Sequence, residues 1–171
     1  MHEIGSQEEV AKLRESLASS AEKARSALRS LVDDPDLLLR LKFERLGCDP
    51  FNVDHAENIC EQVDQWATHQ VALDALEDLM ERHPGKKWRL APGATGSGHD
   101  IQSVDDEVAA EVFAAVRPDN NQKLRKDTEK VAKFRGQFKY VYFRSPAARA
   151  TRTVEGGVTV ASLGLRSRIT P

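Results

Sequence analysis

Apolar positions recur every three or four residues from about Gln7 to Leu31, with charged and polar residues between them. This spacing puts the apolar side chains on one side of a helix, so it predicts an amphipathic helix. The positions of this apolar stripe are Leu13, Leu17, Ala21, Ala24, Leu28 and Leu31. An apolar stripe of this length must be shielded from water, and we expect a neighbouring domain or a second copy of the chain to pack on it.

The segment 33–47 predicts a second, shorter helix. Its aspartates can cap the first turn, Pro35 suits the first helical positions, and Gly47 stands where the helix would stop. The two helices together predict an N-terminal helical hairpin over residues 1–50. This hairpin is the surface through which we expect a homodimer to form.

Residues 54–82 predict a long helix that ends at His83, Pro84 and Gly85. The pattern then changes to short segments that alternate or are rich in β-branched residues, which is typical of strands. The predicted elements are three strands in a meander over 87–93, 99–104 and 107–116, a basic helix over 120–134, a strand over 139–146, and a hairpin or edge strand over 158–163. The glycine cluster of Gly93, Gly96 and Gly98 predicts a loop between the first two strands. The fold class is therefore α+β (α/β), with N-terminal helices followed by a mixed β-sheet flanked by helices, and residues 51–171 form the α/β domain.

The composition is that of a globular chain: 171 residues, 40% hydrophobic and 30% charged, with a net charge of -2. No apolar run reaches the length of a membrane span, and the polar start is unlike a signal peptide, so we expect no membrane association and a cytoplasmic location. Cys48 and Cys60 have no metal-site spacing. From Arg117 onward basic residues greatly outnumber acidic ones. Such a segment can bind a polyanion, although a solvated helix face or an interaction with the acidic part of the chain explains it as well.

Two carboxylates, Asp100 and Glu111, stand on consecutive predicted strands. If both point to one face of the sheet, they can converge on Mg²⁺ or Mn²⁺, with a main-chain carbonyl such as that of Val112 as a further ligand. His99 adjoins Asp100 and, by strand alternation, is expected on the opposite face. A metal held in this way can neutralise charge on a phosphate and activate water, which is the chemistry of a metal-dependent phosphodiesterase.

The order helix, three-strand meander, helix, strand over residues 54–145 resembles the restriction-endonuclease-like superfamily, also called the PD-(D/E)xK nucleases. The resemblance implies that Asp100 and Glu111 are metal ligands and catalytic residues. It places Phe113 where the family has a lysine. It also implies an acidic or amide residue on the helix before the sheet, for which Glu61 or Gln62 would serve, and polar residues on the following helix, for which the candidates are Gln122, Lys123 and Lys126.

Two functions follow from these observations. The first is metal-dependent hydrolysis of DNA or RNA, with a lysine of the basic helix, Lys123 or Lys126, in place of the one missing at position 113. The second is a catalytically inactive module that binds nucleic acid or a protein on the same fold, and an unrelated α+β interaction domain stays a third interpretation. The residues expected to bind nucleic acid are Lys123, Arg125, Lys126, Lys130 and Arg144. Trp66, Trp88, Tyr140 and Tyr142 are expected in the core, although the two tyrosines could instead line a nucleic-acid surface.

Overall fold

The structure is a computed structural model that describes residues 1–93 and 98–164. The helices are α1 (Gln7–Ser30), α2 (Leu37–Phe43), α3 (Ile59–Arg82) and α4 (Lys123–Ala132). The strands are β1 (His2–Ile4), β2 (Gly47–Asp49), β3 (Asn52–Glu57), β4 (Trp88–Leu90), β5 (Ile101–Ser103), β6 (Val108–Ala114), β7 (Phe138–Arg144), β8 (Thr151–Glu155) and β9 (Val158–Ser162). The predicted α+β class, with helices before a mixed sheet, is confirmed. None of the helices within 1–93 and 98–164 combines the length and apolar content needed to cross a bilayer.

The chain forms two compact units. The helical unit is Gln7–Gln70, and the sheet unit is Met1–Ser6 together with Val71–Pro171. In the helical unit, α1 packs on the β2–β3 hairpin and on the first part of α3. Trp66 Nε1 donates a hydrogen bond to the main-chain oxygen of Leu17 at 3.0 Å. Of the predicted stripe in α1, Leu13 and Leu17 are buried, whereas Leu28 is exposed.

Helix α2 of the helical unit has no buried residues. Its large apolar side chains Leu38, Leu39 and Phe43 are all exposed. The homodimer through the N-terminal helices stays a prediction, and analytical ultracentrifugation returning a monomer mass would exclude it.

The sheet unit contains a seven-stranded sheet in the order β1-β4-β5-β6-β7-β9-β8. The pairs β6–β7 and β7–β9 are parallel, and the other pairs are antiparallel. Strands β4, β5 and β6 form the expected meander, and α4 is the crossover that makes β6 and β7 parallel. Both long strands at the centre are largely buried, which explains why β6 reads as a continuous apolar run interrupted by Glu111.

Helices cover both faces of the central strands. The face towards α4 carries an apolar cluster, hereafter the α4 core, of Ala109, Phe113, Val131, Val141, Phe143 and Val158. On the other face Tyr140 and Tyr142 are buried and stacked at 5.7 Å, on the side of the second part of α3. The tyrosines are therefore core residues, and the hypothesis that they line a nucleic-acid surface is wrong.

Several elements depart from the sequence prediction. Strands β1, β2, β3 and β8 are not predicted, and the helix expected from residue 54 begins at Ile59 because residues 52–57 pair with β2. Strand β9 lies inside the sheet, with the fully exposed β8 at the edge. Of the predicted glycine loop, Gly96 lies outside the described residues, as does the tail beyond residue 164.

Asp78 of α3 ties the helix to two strands of the sheet unit. Its carboxylate accepts hydrogen bonds from Tyr142 Oη at 2.5 Å, from Arg82 at 2.8 Å and from Arg152 at 2.9 Å. Burial raises the pKa of Asp78, but the hydrogen bonds from these three donors outweigh it, so the pKa lies below its ordinary value. The folded state therefore favours the ionised carboxylate.

We expect Asp78→Asn to destabilise the protein at pH 7 by about 1–3 kcal/mol, because hydrogen bonds to a charged acceptor are replaced by weaker ones. Since the folded pKa is below the unfolded one, the stabilisation by Asp78 is present above about pH 4 and is lost as pH falls through the folded pKa. The difference in melting temperature between wild type and variant should shrink below that pH in thermal unfolding followed by circular dichroism. An equal difference at pH 7 and pH 3 would contradict the argument.

Candidate functional site

Asp100 lies immediately before β5, beside Glu111 of β6. Ile101 pairs with Ala110 across the antiparallel ladder, so the next position on each strand brings residues 100 and 111 to the same end of the pair. The Asp100 carboxylate accepts the main-chain N–H of Val112 at 2.8 Å and that of Gly93 at 3.1 Å. It thereby takes the place of a main-chain acceptor beyond the start of β5, where β6 continues.

Glu111 points towards α4, because it lies between Ala109 and Phe113 in the alternation of β6. It is 2% exposed and is held at both oxygens. Lys130 Nζ of α4 donates to Oε2 at 2.9 Å, and His99 Nδ1 lies 2.6 Å from Oε1. A buried carboxylate therefore has a lysine on one side and a histidine on the other.

The expectation that His99 points away from the carboxylates is wrong. Residue 99 precedes the first residue of β5, so strand alternation does not govern its direction. Its ring packs edge-on against Phe134 at 5.2 Å between centroids, and it reaches Glu111 from that position.

The electrostatics of the pair are those of two carboxylates with little water around them. Burial raises the pKa of Asp100 to about 6, with the negative charge of Glu111 as the next cause. The N–H of Val112 and the charge of Lys130 act in the opposite direction. Asp100 and Glu111 are 6% and 2% exposed, so a positive charge close to them is favoured by the low local dielectric.

A third buried carboxylate, Asp127, stands on α4 one turn before Lys130. Its Oδ1 accepts from Lys123 Nζ at 2.9 Å, and within the described residues its buried Oδ2 has no hydrogen-bond partner. Burial raises its pKa, and the charge of Glu111 acts in the same direction. Asp127 has no signal of a site residue in the sequence, because an aspartate in a lysine-rich helix is typical of a surface ion pair.

Phe113, which stands where the resemblance implies a lysine, belongs to the α4 core. Its ring stacks on Phe143 at 5.3 Å between centroids, nearly parallel. Lys123 Nζ lies 5.9 Å from the Phe113 ring centroid, and this lysine is paired with Asp127 rather than with Glu111. The lysine that reaches Glu111 is Lys130, for which the sequence predicts nucleic-acid binding and not a contact with this carboxylate.

The other predicted site residues lie elsewhere. Gln122 and Lys126 are exposed, and Arg125 is paired with Glu129 at 2.5 Å and also contacts Gln122. Arg144 is mostly buried and bonds to Asp74 at 2.6 Å, so it faces α3 and not solvent.

Neither candidate on the helix before the sheet belongs to the sheet unit. Glu61 is exposed and is part of the helical unit. Gln62 is buried in that unit, where Nε2 donates to Ser20 O at 2.7 Å and Oε1 accepts from Cys48 N at 3.2 Å. These contacts give Gln62 a structural role.

No three His, Cys, Asp or Glu side chains are grouped as metal ligands within 1–93 and 98–164. The site thus offers two carboxylates, a lysine and a histidine. Comparisons of the chain with protein-family models, with curated proteins and with solved structures found no match.

Proposed function

We propose that the chain hydrolyses phosphodiester bonds of nucleic acid with Mg²⁺ or Mn²⁺ bound at Asp100 and Glu111. The observation that carries this proposal is the contact of 2.9 Å between Lys130 Nζ and Glu111 Oε2. A lysine next to a buried carboxylate pair is the arrangement that the resemblance to the PD-(D/E)xK nucleases implies, supplied here from α4 because position 113 is apolar. The restriction-endonuclease-like core is part of the same proposal.

The chemistry of the donor set supports a hard divalent cation. Carboxylate oxygens are the ligands that Mg²⁺ and Mn²⁺ prefer, and Asp100 and Glu111 with the main-chain carbonyl of Val112 are the ligands we propose. A bound ion would supply charge neutralisation at the phosphate and a lower pKa of a bound water. The two carboxylates are desolvated side by side, which also favours a cation between them.

Each neighbouring side chain has a role that its contacts support. His99 holds Glu111 in one orientation through Oε1, and Lys130 stabilises negative charge that develops on the phosphate. Asp127 lies one helical turn before Lys130, and its buried Oδ2 has no hydrogen-bond partner among the described residues. Burial raises the pKa of Asp127 and the charge of Lys130 acts to lower it, so the lysine also acts on this second carboxylate.

The proposal is tested by isothermal titration with Mn²⁺ and by a plasmid-nicking assay. We expect wild type to give saturable heat and metal-dependent nicking. Asp100→Asn and Glu111→Gln should abolish the heat and lower nicking by about 10²-fold or more, since each keeps the shape but removes a charged ligand. Glu129→Gln, an exposed carboxylate of α4, is the matched control and should behave as wild type.

If neither site substitution changes the heat of Mn²⁺ binding or the nicking rate, the proposed enzymatic function is excluded. Nucleic-acid binding without metal-dependent nicking would instead support the inactive module, for which the apolar Phe113 is the favourable observation.

A further inference from the structure

A cleft with a volume of about 560 Å³ opens beside the carboxylate pair. One side is the end of α4 and the loop that follows it, and the other is formed by β5, by His99 two residues before it and by the turn after it. The side chains that define it are His99, Gln102, Lys130, Lys133, Phe134 and Arg135. His99 and Lys130 are also the two side chains that bind Glu111, so the cleft ends at the proposed catalytic residues.

The charges of the cleft favour an anionic ligand. Lys130, Lys133 and Arg135 are three cations in its wall, and the last two are exposed. Among the described residues of the lining, Asp106 is the one carboxylate. It is already paired with Arg89 and accepts from Gln102 Nε2 at 2.7 Å. A phosphate group suits this lining because it accepts several charge-assisted hydrogen bonds at once.

The depth of the carboxylates limits which nucleic acid can reach them. Asp100 and Glu111 are 6% and 2% exposed, so a phosphate must enter the cleft to approach them. In a duplex the nucleotide next to that phosphate is stacked and paired, and bringing it out of the helix costs free energy. An unpaired strand enters without this cost, and Phe134 supplies an aromatic ring in the cleft wall.

We infer that this cleft binds one unpaired nucleotide of a single-stranded nucleic acid, with its phosphate at Lys133 and Arg135 and its base against Phe134. The inference rests on the proposed function, because it names the substrate of that same site. Single-stranded substrate is therefore preferred over duplex of the same sequence.

The test measures fluorescence anisotropy of a labelled single-stranded DNA oligonucleotide, titrated with the full chain in EDTA so that binding is separated from cleavage. We expect Lys133→Ala/Arg135→Ala to raise Kd about tenfold or more and to reduce the slope of log affinity against log salt by roughly 1.4, since two phosphate contacts are lost. The control Arg117→Ala/Arg149→Ala removes two exposed cations outside the cleft and should leave Kd near wild type. Phe134→Leu keeps an apolar side chain and should weaken binding with no change in salt slope.

Wild type should bind the duplex of the same sequence at least about tenfold more weakly, because the paired nucleotide stays in its stack. Equal loss of affinity in the cleft and control variants, or equal affinity for duplex and single strand, overturns the inference. Far-ultraviolet circular dichroism of every variant shows that it is folded. If Asp100→Asn and wild type bind alike and neither cleaves, the proposed function fails while the nucleotide cleft stands.

Discussion

Replacing Lys130 with glutamine is expected to lower metal-dependent nicking about 10²–10³-fold. Glutamine keeps N–H donors but removes the charge that faces Glu111 and the entering phosphate, and loss of one such electrostatic contact has an effect of this size. Single-turnover nicking at saturating Mn²⁺ measures the chemical step. Lys42→Gln, at an exposed lysine of α2, is the control for loss of one positive charge and should stay within about threefold of wild type.

The same substitution also changes stability, and a double-mutant cycle separates the two effects. Lys130→Gln leaves the buried Glu111 without its cation, which we expect to cost about 1–3 kcal/mol, less than for a fully buried pair because the Lys130 side chain is 38% exposed. Adding Glu111→Gln removes the uncompensated charge, so the double variant should recover most of that stability in urea unfolding but none of the nicking. If Lys130→Gln nicks DNA within about threefold of the wild-type rate, Lys130 does not stabilise the charge on the phosphate.

Introducing a methyl group at Gly136 is expected to lower the melting temperature by several degrees. A Cβ there would lie 2.5 Å from Asp106 O and 2.7 Å from Glu107 O, and closer still to the Phe134 ring. The two carbonyls belong to the turn between β5 and β6, so the main chain itself must move. Overpacking of this kind costs about 1–3 kcal/mol, and each kcal/mol lowers the melting temperature of a chain of this size by about 2–4 °C.

Gly98→Ala is the matched control for Gly136→Ala, because a Cβ at Gly98 meets no atom of the described residues within 4 Å. Thermal unfolding by circular dichroism compares the two. Gly136→Ala should also bind the single-stranded oligonucleotide more weakly, because the added methyl group displaces the Phe134 ring that lines the cleft. Equal melting temperatures for the two alanine variants would show that the loop after α4 adjusts freely.

The central sheet could be predicted from the sequence because its strands are buried and its turns are marked. The run Val108–Ala114 is apolar, and the alternation of Tyr140 and Tyr142 with Val141 separates the two faces of β7. Strands β3 and β8 could not be predicted in the same way. Their side chains are mostly exposed, so no period-two pattern distinguishes them from a loop or from the start of a helix.

The lysine of α4 that contacts Glu111 could not be predicted from the sequence, for a different reason. Lys123, Lys126 and Lys130 all lie within about two turns, and the rotation of the helix on the sheet decides which one meets Glu111. That rotation is fixed by Val131 entering the α4 core and by Asp127 turning inward, and both depend on tertiary packing. The carboxylates Asp100 and Glu111 were predictable as a pair. Their partners His99 and Lys130 were not, because tertiary packing determines which side chains reach Glu111.

The stacking of Phe113 on Phe143 leaves the carboxylate site dependent on a lysine from another element, α4. With an aromatic ring in that position of β6, the position of the Lys130 charge relative to Glu111 depends on how tightly α4 sits on the sheet. Trimming an apolar side chain such as Val131 would therefore alter the electrostatics of the carboxylates by moving the charge of Lys130. The apolar packing of α4 on the sheet thus sets the position of Lys130 relative to Glu111.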